Sequence, residues 1–281
     1  VTQIHPTAIV SSEACLADDV EVGPFAIIEP EVTLGPGCRI AARATVKSRT
    51  QIGAGTVIHE GAIVGGIPQH LQGGEPGRLV IGKQNVIREN VTIHLGLHAD
   101  DVTSIGDHNF IMVNSHIAHD CEIGSHCVIA NNVMLAGHIA IEDRAYLSGA
   151  VAVHQFVRIG AFAMVGGQAH IKRDVPPFVT VDGFSSTIVG LNKVGLRRNG
   201  YTREEMAQLK EAYRLIYRSG SNWQDTLAAL GERFPEYPAR RYFEFFSGGK
   251  RGFMQERRSP PAATLRMPTA DDADQPTRRA G

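Results

Sequence analysis

The chain has 281 residues, enough for one long domain or two ordinary ones, and a formal net charge of −1. That balance argues against a general nucleic-acid grip, which needs a basic face, and no apolar run approaches the roughly 20 residues that span a bilayer. Aromatic residues are only 6% of the chain while glycine reaches 30 residues, so a conventional layered core is not expected.

The first residues, "VTQIHPTAIVSSEACLADD", lack the basic start and apolar stretch of a signal peptide. What begins there is a repeat. Ile4, Val10, Leu16, Val22, Ile28, Leu34, Ile40, Val46, Ile52, Ile58 and Val64 recur every sixth residue. The register shifts by one at Ile81, Ile87 and Ile93, then runs from Ile105 through Ile171 without a miss. A second column of small or β-branched residues follows four places later, as at Ala8, Ala14, Val20, Cys121, Cys127 and Val133. Neither a helical period of about 3.6 nor simple alternation yields this pattern. A short strand followed by a sharp corner every six residues does, with one large and one small side chain per side filling a narrow prism. Gly and Asn near the corners are expected to take positive φ.

Residues 66–80 ("GIPQHLQGGEPGRLV") lose the aliphatic column and carry two prolines and four glycines, so they are expected to loop out. Residues 94–104 keep the count of six but put Ala99 where Ile belongs, and are expected to bulge. Loops on a rigid scaffold are where function concentrates. The four cysteines form no CxxC, and Cys121 and Cys127 stand one repeat apart, so they read as packing residues in a reducing cytoplasm.

Past "KRDVPPFVTVDG" the pattern becomes helical. Thr202 and Glu205 form a capping-box signature, and Met206, Leu209, Tyr213, Ile216 and Tyr217 mark one helix face ending near Gly220. "SNWQDTLAALGERF" starts a second helix and "PARRYFEFF" a short third. Residues 248–281, rich in Pro, Ala and charge, are expected to be disordered. The expected organisation is a β-helix domain over 1–190, a small helical domain over 191–247 capping the prism, and the 248–281 tail.

With three hexads to a coil, residues 18 apart in the chain stack about 4.8 Å apart. His119, Gly137 and Gln155 then share one column, with His138 and His154 beside it and His116 at the neighbouring corner. Repeat faces are often polar, and His108, His126 and His170 are read as ordinary turn residues. Two chemistries suit the gathered cluster. Three imidazoles with an open position could hold zinc, as in a hexapeptide-repeat carbonic anhydrase. Alternatively, one His takes a proton from an attacking hydroxyl, Asp120 favours its charged form, and the Gly137 N–H faces a developing oxyanion.

The three-hexad coil and its left hand come from resemblance. The chain is similar to the left-handed parallel β-helix acyltransferases, an all-β solenoid of hexapeptide repeats with a small C-terminal α-helical domain. Up to about residue 247 it resembles the UDP-N-acetylglucosamine O-acyltransferase family that opens lipid A biosynthesis. The carrying segments include "IHPTAIV" (4–10), "IRENVTIH" (87–94), "HIAHDC" (116–121), "LAGH" (135–138), "AVHQF" (152–156), "DVPPF" (174–178) and "GLNKVGLRRNGY" (190–201). The resemblance implies transfer of an (R)-3-hydroxyacyl chain to the sugar 3-hydroxyl, with His119 as general base, Asp120 its partner and Gly137 the oxyanion donor. Gln69, His70, His116, His138, His154 and Gln155 would line the substrate cleft, and Asn192 and Arg198 would hold the nucleotide end. Gly167 matches the position that limits acyl length. The family implies a homotrimer with sites between subunits, no metal, and no cofactor beyond the phosphopantetheine of acyl-carrier protein. That acidic donor could meet Lys172, Arg173, Lys193, Arg197, Arg203 and Lys210.

The family usually has Asp where this chain has His70; Gln72, Leu95, Val194 and Asn199 also depart from its charged residues. An imidazole cannot accept as a carboxylate does, which raises a 3-amino sugar as an alternative acceptor. The pathway's N-acyltransferase is a weaker alternative, since no uridine-binding domain precedes the repeat. A zinc enzyme and a non-catalytic scaffold are the alternatives of other classes.

Overall fold

The computed structural model describes residues 1–249 and 251–257. Each side of the prism is a parallel sheet. The chain visits an eleven-stranded face, a nine-stranded face and an eight-stranded face in turn, so each coil has three corners. The corner from the nine- to the eight-stranded face is here the second, and that from the eight- to the eleven-stranded face the third. Most strands are two residues long, and partners lie 18 apart, as in Ile4 with Val22 and Ile111 with Ile129. Each aliphatic column position points inward: Ile58, Ile87, Ile111, Ile117 and Ile129 are fully buried in one continuous core. Cys38, Cys121 and Cys127 fill the small column as free thiols. The hand is left.

Glycine is used differently from the expectation. The positive φ of the corners falls mostly on other residues, among them Phe25, Arg49, Asp120, His138 and Phe156. The Gly that follows the aliphatic residue serves close approach instead. A Cβ built on Gly53 would stand 2.6 Å from the Gly82 carbonyl carbon of the next coil, and one on Gly160 would stand 2.4 Å from Pro177 N.

Both irregular segments leave from the second corner. The first runs between strands Ile63–Gly66 and Arg78–Ile81, and pairs Ile52 with Ile81, 29 residues apart. The second runs between Thr92–His94 and Val102–Ile105, and pairs Ile81 with Ile105, 24 residues apart. The insertions therefore keep the aliphatic columns in register and extend one corner, with a bulge where Gly66 pairs with His94.

Strand Ile188–Leu191 pairs antiparallel with Val179–Val181 and closes the eleven-stranded face. Among the described residues four helices follow: α1 (Lys193–Arg198), α2 (Arg203–Arg218), α3 (Trp223–Arg233) and α4 (Arg240–Ser247). The Thr202 hydroxyl accepts from Glu205 N at 3.1 Å while the Glu205 carboxylate accepts from Thr202 N at 2.7 Å, which completes the capping box. Leu196, Leu209, Leu230, Tyr242 and Phe246 form a second core on Phe178 of the last coil. α1 was not foreseen; it has six residues and buries only Leu196, too little for a periodic signal.

The disorder expected from residue 248 onward is not met at 251–257. Phe253 and Glu256 make parallel bridges to Asp174 and Ile188, Met254 is buried, and Glu256 accepts from Tyr213 and Arg218. The last coil offers unpaired backbone, and its pairing outweighs the polar composition of the segment. Residues 258–281 lie outside the described residues.

Candidate active site

The second corner gathers the histidines. At its turns the residue with positive φ stacks coil on coil as Asp120, His138 and Phe156, beside a column of His119, Gly137 and Gln155. The His138 and Phe156 rings lie nearly parallel, 4.6 Å between centroids, and His119 meets His138 edge-on at 5.1 Å.

His119 is 8% exposed, and its Nδ1 lies 2.6 Å from Asp120 Oδ2. An ionised carboxylate can only accept, so Nδ1 carries the proton and Nε2 presents a lone pair. Asp120 is itself fixed from both sides. Its Oδ1 accepts from Leu97 N at 3.1 Å, and its own N–H donates to Thr103 Oγ1 at 2.8 Å. Leu97 belongs to the second insertion, so that loop orients the dyad. Asp120 Oδ2 also lies 3.5 Å from His138 Nε2.

Gly137 lies under the His119 ring: a Cβ there would be 2.5 Å from Cε1 and 2.8 Å from Nε2. Its N–H donates to no protein acceptor among the described residues. The absent side chain makes room for the base as well as for a ligand, a second requirement that spacing alone did not reveal.

Around this pair, Thr92 Oγ1 bonds His116 Nδ1 at 2.7 Å, and burial followed by the nearby His119 holds His116 below its ordinary pKa. His94 packs edge-on against His116 at 4.7 Å, and its buried Nδ1 has no partner among the described residues. Burial first, then His116 and His119, press its pKa down to about 4. His70 comes in from the first insertion, its ring 5.7 Å from that of His119. Its Nδ1 accepts from Gln72 N at 3.2 Å, so Nε2–H is the free donor. Gln69 precedes it, exposed in the same loop. His154 is exposed two coils above, its Nδ1 3.4 Å from Arg251 Nη2, with Gln155 exposed beside it.

The remaining expected residues lie elsewhere on the chain. Asn192 and Arg198 line a cavity of about 640 Å³ on the eleven-stranded face, with His126, Arg144, Tyr146, Phe162 and Asn199. Asn192 also holds α1 in place: Oδ1 accepts from Gly195 N at 2.9 Å and Nδ2 donates to Phe162 O at 2.9 Å. Gly167 sits on the first corner, between the eleven- and nine-stranded faces, where a Cβ would meet Gly149 O at 3.2 Å. The expected site residues thus fall into two groups, one at the second corner and one on the eleven-stranded face. Thr92, His94, Leu97, Thr103 and Arg144 escaped sequence reasoning; only the insertion lengths, which place Thr92 opposite His116, could have pointed to one of them.

His119, Asp120 and His138 bring ligand-type atoms within 4.8 Å of one another. The shortest of these contacts, Nδ1 to Oδ2, is a hydrogen bond that leaves His119 Nε2 free, an arrangement that serves a base and a metal-bound imidazole alike. No helix among the described residues is long and apolar enough to cross a membrane.

Comparisons with known proteins agree with this arrangement. The family model "Udp N-acetylglucosamine O-acyltransferase; Domain 2" matches residues 174–254, and a six-repeat bacterial transferase hexapeptide model matches residues 103–137. An acyl-[acyl-carrier-protein]–UDP-N-acetylglucosamine O-acyltransferase from Halorhodospira halophila is 44% identical over 91% of this chain and 100% of its own length. One of the same name from a Synechocystis species is 46% identical over 92% and 93%. Among solved structures, a UDP-N-acetylglucosamine acyltransferase from Francisella novicida superposes with a TM-score of 0.88 at 34% identity, covering 94% of this chain and all of that one.

Proposed function

The chain belongs to the acyl-[acyl-carrier-protein]–UDP-N-acetylglucosamine O-acyltransferase family, and we propose that it does this family's work with His119 as general base. The reaction is the first step of lipid A biosynthesis and moves an acyl group from carrier protein to UDP-N-acetylglucosamine. The observation that carries the mechanistic reading is the His119–Asp120 bond at 2.6 Å beneath an open Gly137.

In this reading His119 Nε2 takes the proton of the sugar 3-hydroxyl as its oxygen attacks the thioester carbonyl of an (R)-3-hydroxyacyl donor. The new C–O bond makes a tetrahedral intermediate whose oxyanion meets the Gly137 N–H. Collapse breaks the C–S bond, and the leaving thiolate recovers the proton from His119. Asp120 stabilises the imidazolium in between. No protein nucleophile and no cofactor beyond the carrier's phosphopantetheine enters any step. His116, His138, His154, Gln155, Gln69 and His70 line the sugar side, Asn192 and Arg198 take the nucleotide, and Gly167 leaves length for the acyl chain. The family resemblance implies a homotrimer as the working unit, and the position of the two groups on different faces of one chain supports a site that joins the corner of one subunit to the cavity of the next. The basic residues around Lys172 and Arg173 receive the acidic carrier, and the reaction takes place in the cytoplasm.

Substituting His119→Ala tests the base. We expect the fold to persist by circular dichroism and turnover to fall by about 100-fold or more, the range of general-base catalysis. Turnover within a few-fold of the native rate would remove His119 from the role.

A further inference from the structure

The cavity on the eleven-stranded face holds a cation that no motif marked. Arg144 stands at the third corner in the positive-φ position, one coil beyond His126 and one before Phe162. Its Nη1 donates to Asn199 Oδ1 at 2.7 Å, and its guanidinium carbon lies 6.0 Å from the Phe162 ring centroid. Asn199 is anchored in turn, its Nδ2 donating to Gly195 O at 2.8 Å at the end of α1. The guanidinium is therefore steered from two sides while most of its five donors remain uncommitted.

Arg198 lines the same cavity. Both arginines are exposed, and neither forms an ion pair with a carboxylate among the described residues, whereas the half-buried Arg88 and Arg158 do. His126 borders the cavity as well; burial first, then Arg144, hold its pKa below the ordinary value. Two guanidinium groups without counter-ions beside one cavity, with an asparagine amide and an aromatic wall between them, form a site for a di-anion. Such forks match phosphate oxygens in pairs. Asn199 stands where some members of the family that the chain resembles carry a charged residue.

We propose that Arg144 supplies that missing charge: held by Asn199, it is a second guanidinium for the diphosphate of the UDP-sugar, opposite Arg198. The proposal rests on the reading of this cavity as the nucleotide end of the site. It makes Arg144 a binding residue that acts on affinity for the diphosphate and leaves recognition of the uridine to its neighbours.

The test uses the full-length assembled enzyme and three probes, UDP-N-acetylglucosamine as substrate and UDP and uridine as competitors. Arg144→Gln keeps a donor for Asn199 and removes the charge. Losing one charge-assisted phosphate contact should raise the KM for the sugar nucleotide and the inhibition constant of UDP by about tenfold. The inhibition constant of uridine should not move, and the rise of KM with added salt should become shallower. Adding Asn199→Arg to Arg144→Gln should restore most of the UDP affinity by returning a guanidinium to the same place. An unchanged inhibition constant for UDP in Arg144→Gln overturns the proposal. Equal weakening of UDP and uridine overturns it too, since that marks a structural loss. The nucleotide reading has its own control. If Arg198→Gln leaves UDP inhibition at the native value, the cavity is not the nucleotide site, and Arg144 falls with it.

Discussion

Adding one methyl group at Gly137 should disable the base without touching it chemically. A Cβ at this position would stand 2.5 Å from His119 Cε1, 2.8 Å from Nε2 and 3.1 Å from Nδ1. Carbon contacts settle near 3.5–4.0 Å, so the ring must retreat by about 1 Å. It has little freedom to do so. Nδ1 holds Asp120 at 2.6 Å, and the rings of His138 and His70 stand 5.1 and 5.7 Å away. A reacting group misplaced by about 1 Å can lose roughly 100-fold in rate. Overpacking at such a site costs about 1–3 kcal/mol of stability, so Gly137→Ala should still fold. Alanine keeps its backbone N–H, so the oxyanion donor survives, and the His119→Ala background separates displacement of the base from obstruction of the ligand. Steady-state turnover with acyl-carrier-protein donor should fall by about 100-fold in Gly137→Ala. The same substitution made on top of His119→Ala should cost little more, since the group it displaces is already gone. Two results would refute this reasoning: a Gly137→Ala enzyme retaining half its turnover, or an equally deep further loss in the His119→Ala background.

His94 gives the stability a pH dependence of known sign. Its pKa is about 4 in the fold against an ordinary 6.5, so between those values the unfolded chain binds a proton that the folded chain refuses. Stability should be full above pH 6.5 and decline as pH falls toward 4, by something on the order of 3 kcal/mol, with His116 shifted the same way. Urea midpoints at pH 7.5 and 5 would measure it, and His94→Leu should flatten the slope; an undiminished slope in the variant counts against the assignment. At the other end, Asp174 is 2% exposed and accepts from Arg158 N at 3.0 Å and Nε at 2.9 Å, while Arg158 reaches Phe245 O of α4 at 2.8 Å. Asp174→Ala should destabilise the junction by about 3 kcal/mol. Trp223, the only tryptophan, packs on Phe246 and Phe253 and would report it; its fluorescence should change before the prism's circular dichroism, and coincident native-like transitions would exclude the idea.

The prism was legible because one rule governs every coil. A residue such as Ile117 is fixed by its place in a period of six, and 18-residue stacking put His119 over Gly137 before any coordinates. The rule is blind to whatever leaves the period. The two insertions appeared as gaps, but the sequence could not say that both leave from the corner that holds His119. Leu97 contributes a backbone N–H, which no side-chain pattern encodes. Arg144 occupies a turn position that elsewhere holds His126 or Phe162, so only its bond to Asn199, 55 residues away, gives it meaning. The segment 251–257 reads as polar and unstructured, yet it pairs with the edge of the last coil. Periodic burial is local in sequence; these contacts are not.

The split of the site between two faces has a consequence that single substitutions cannot reach. His119 stands at the second corner, whereas Arg198 and Asn192 line the eleven-stranded face, so in the proposed trimer each site takes its base from one subunit and its nucleotide grip from the next. His119→Ala and Arg198→Ala chains are then complementary. Each alone builds trimers in which every site lacks one half. In a trimer assembled from both, a site is whole wherever an Arg198→Ala chain lends its intact corner to the intact cavity of a His119→Ala neighbour. Random assembly at equal amounts makes that arrangement about one interface in four, so at UDP-N-acetylglucosamine well below the raised KM of Arg198→Ala, co-refolding the two impaired proteins should restore about a quarter of native turnover. The proportion should follow the product of the two fractions as the mixing ratio is varied. A site contained within one chain has no such route back, and mixtures would stay as inactive as their parts. Restored activity would also require an assembly of subunits, because separate monomers cannot lend each other a half site.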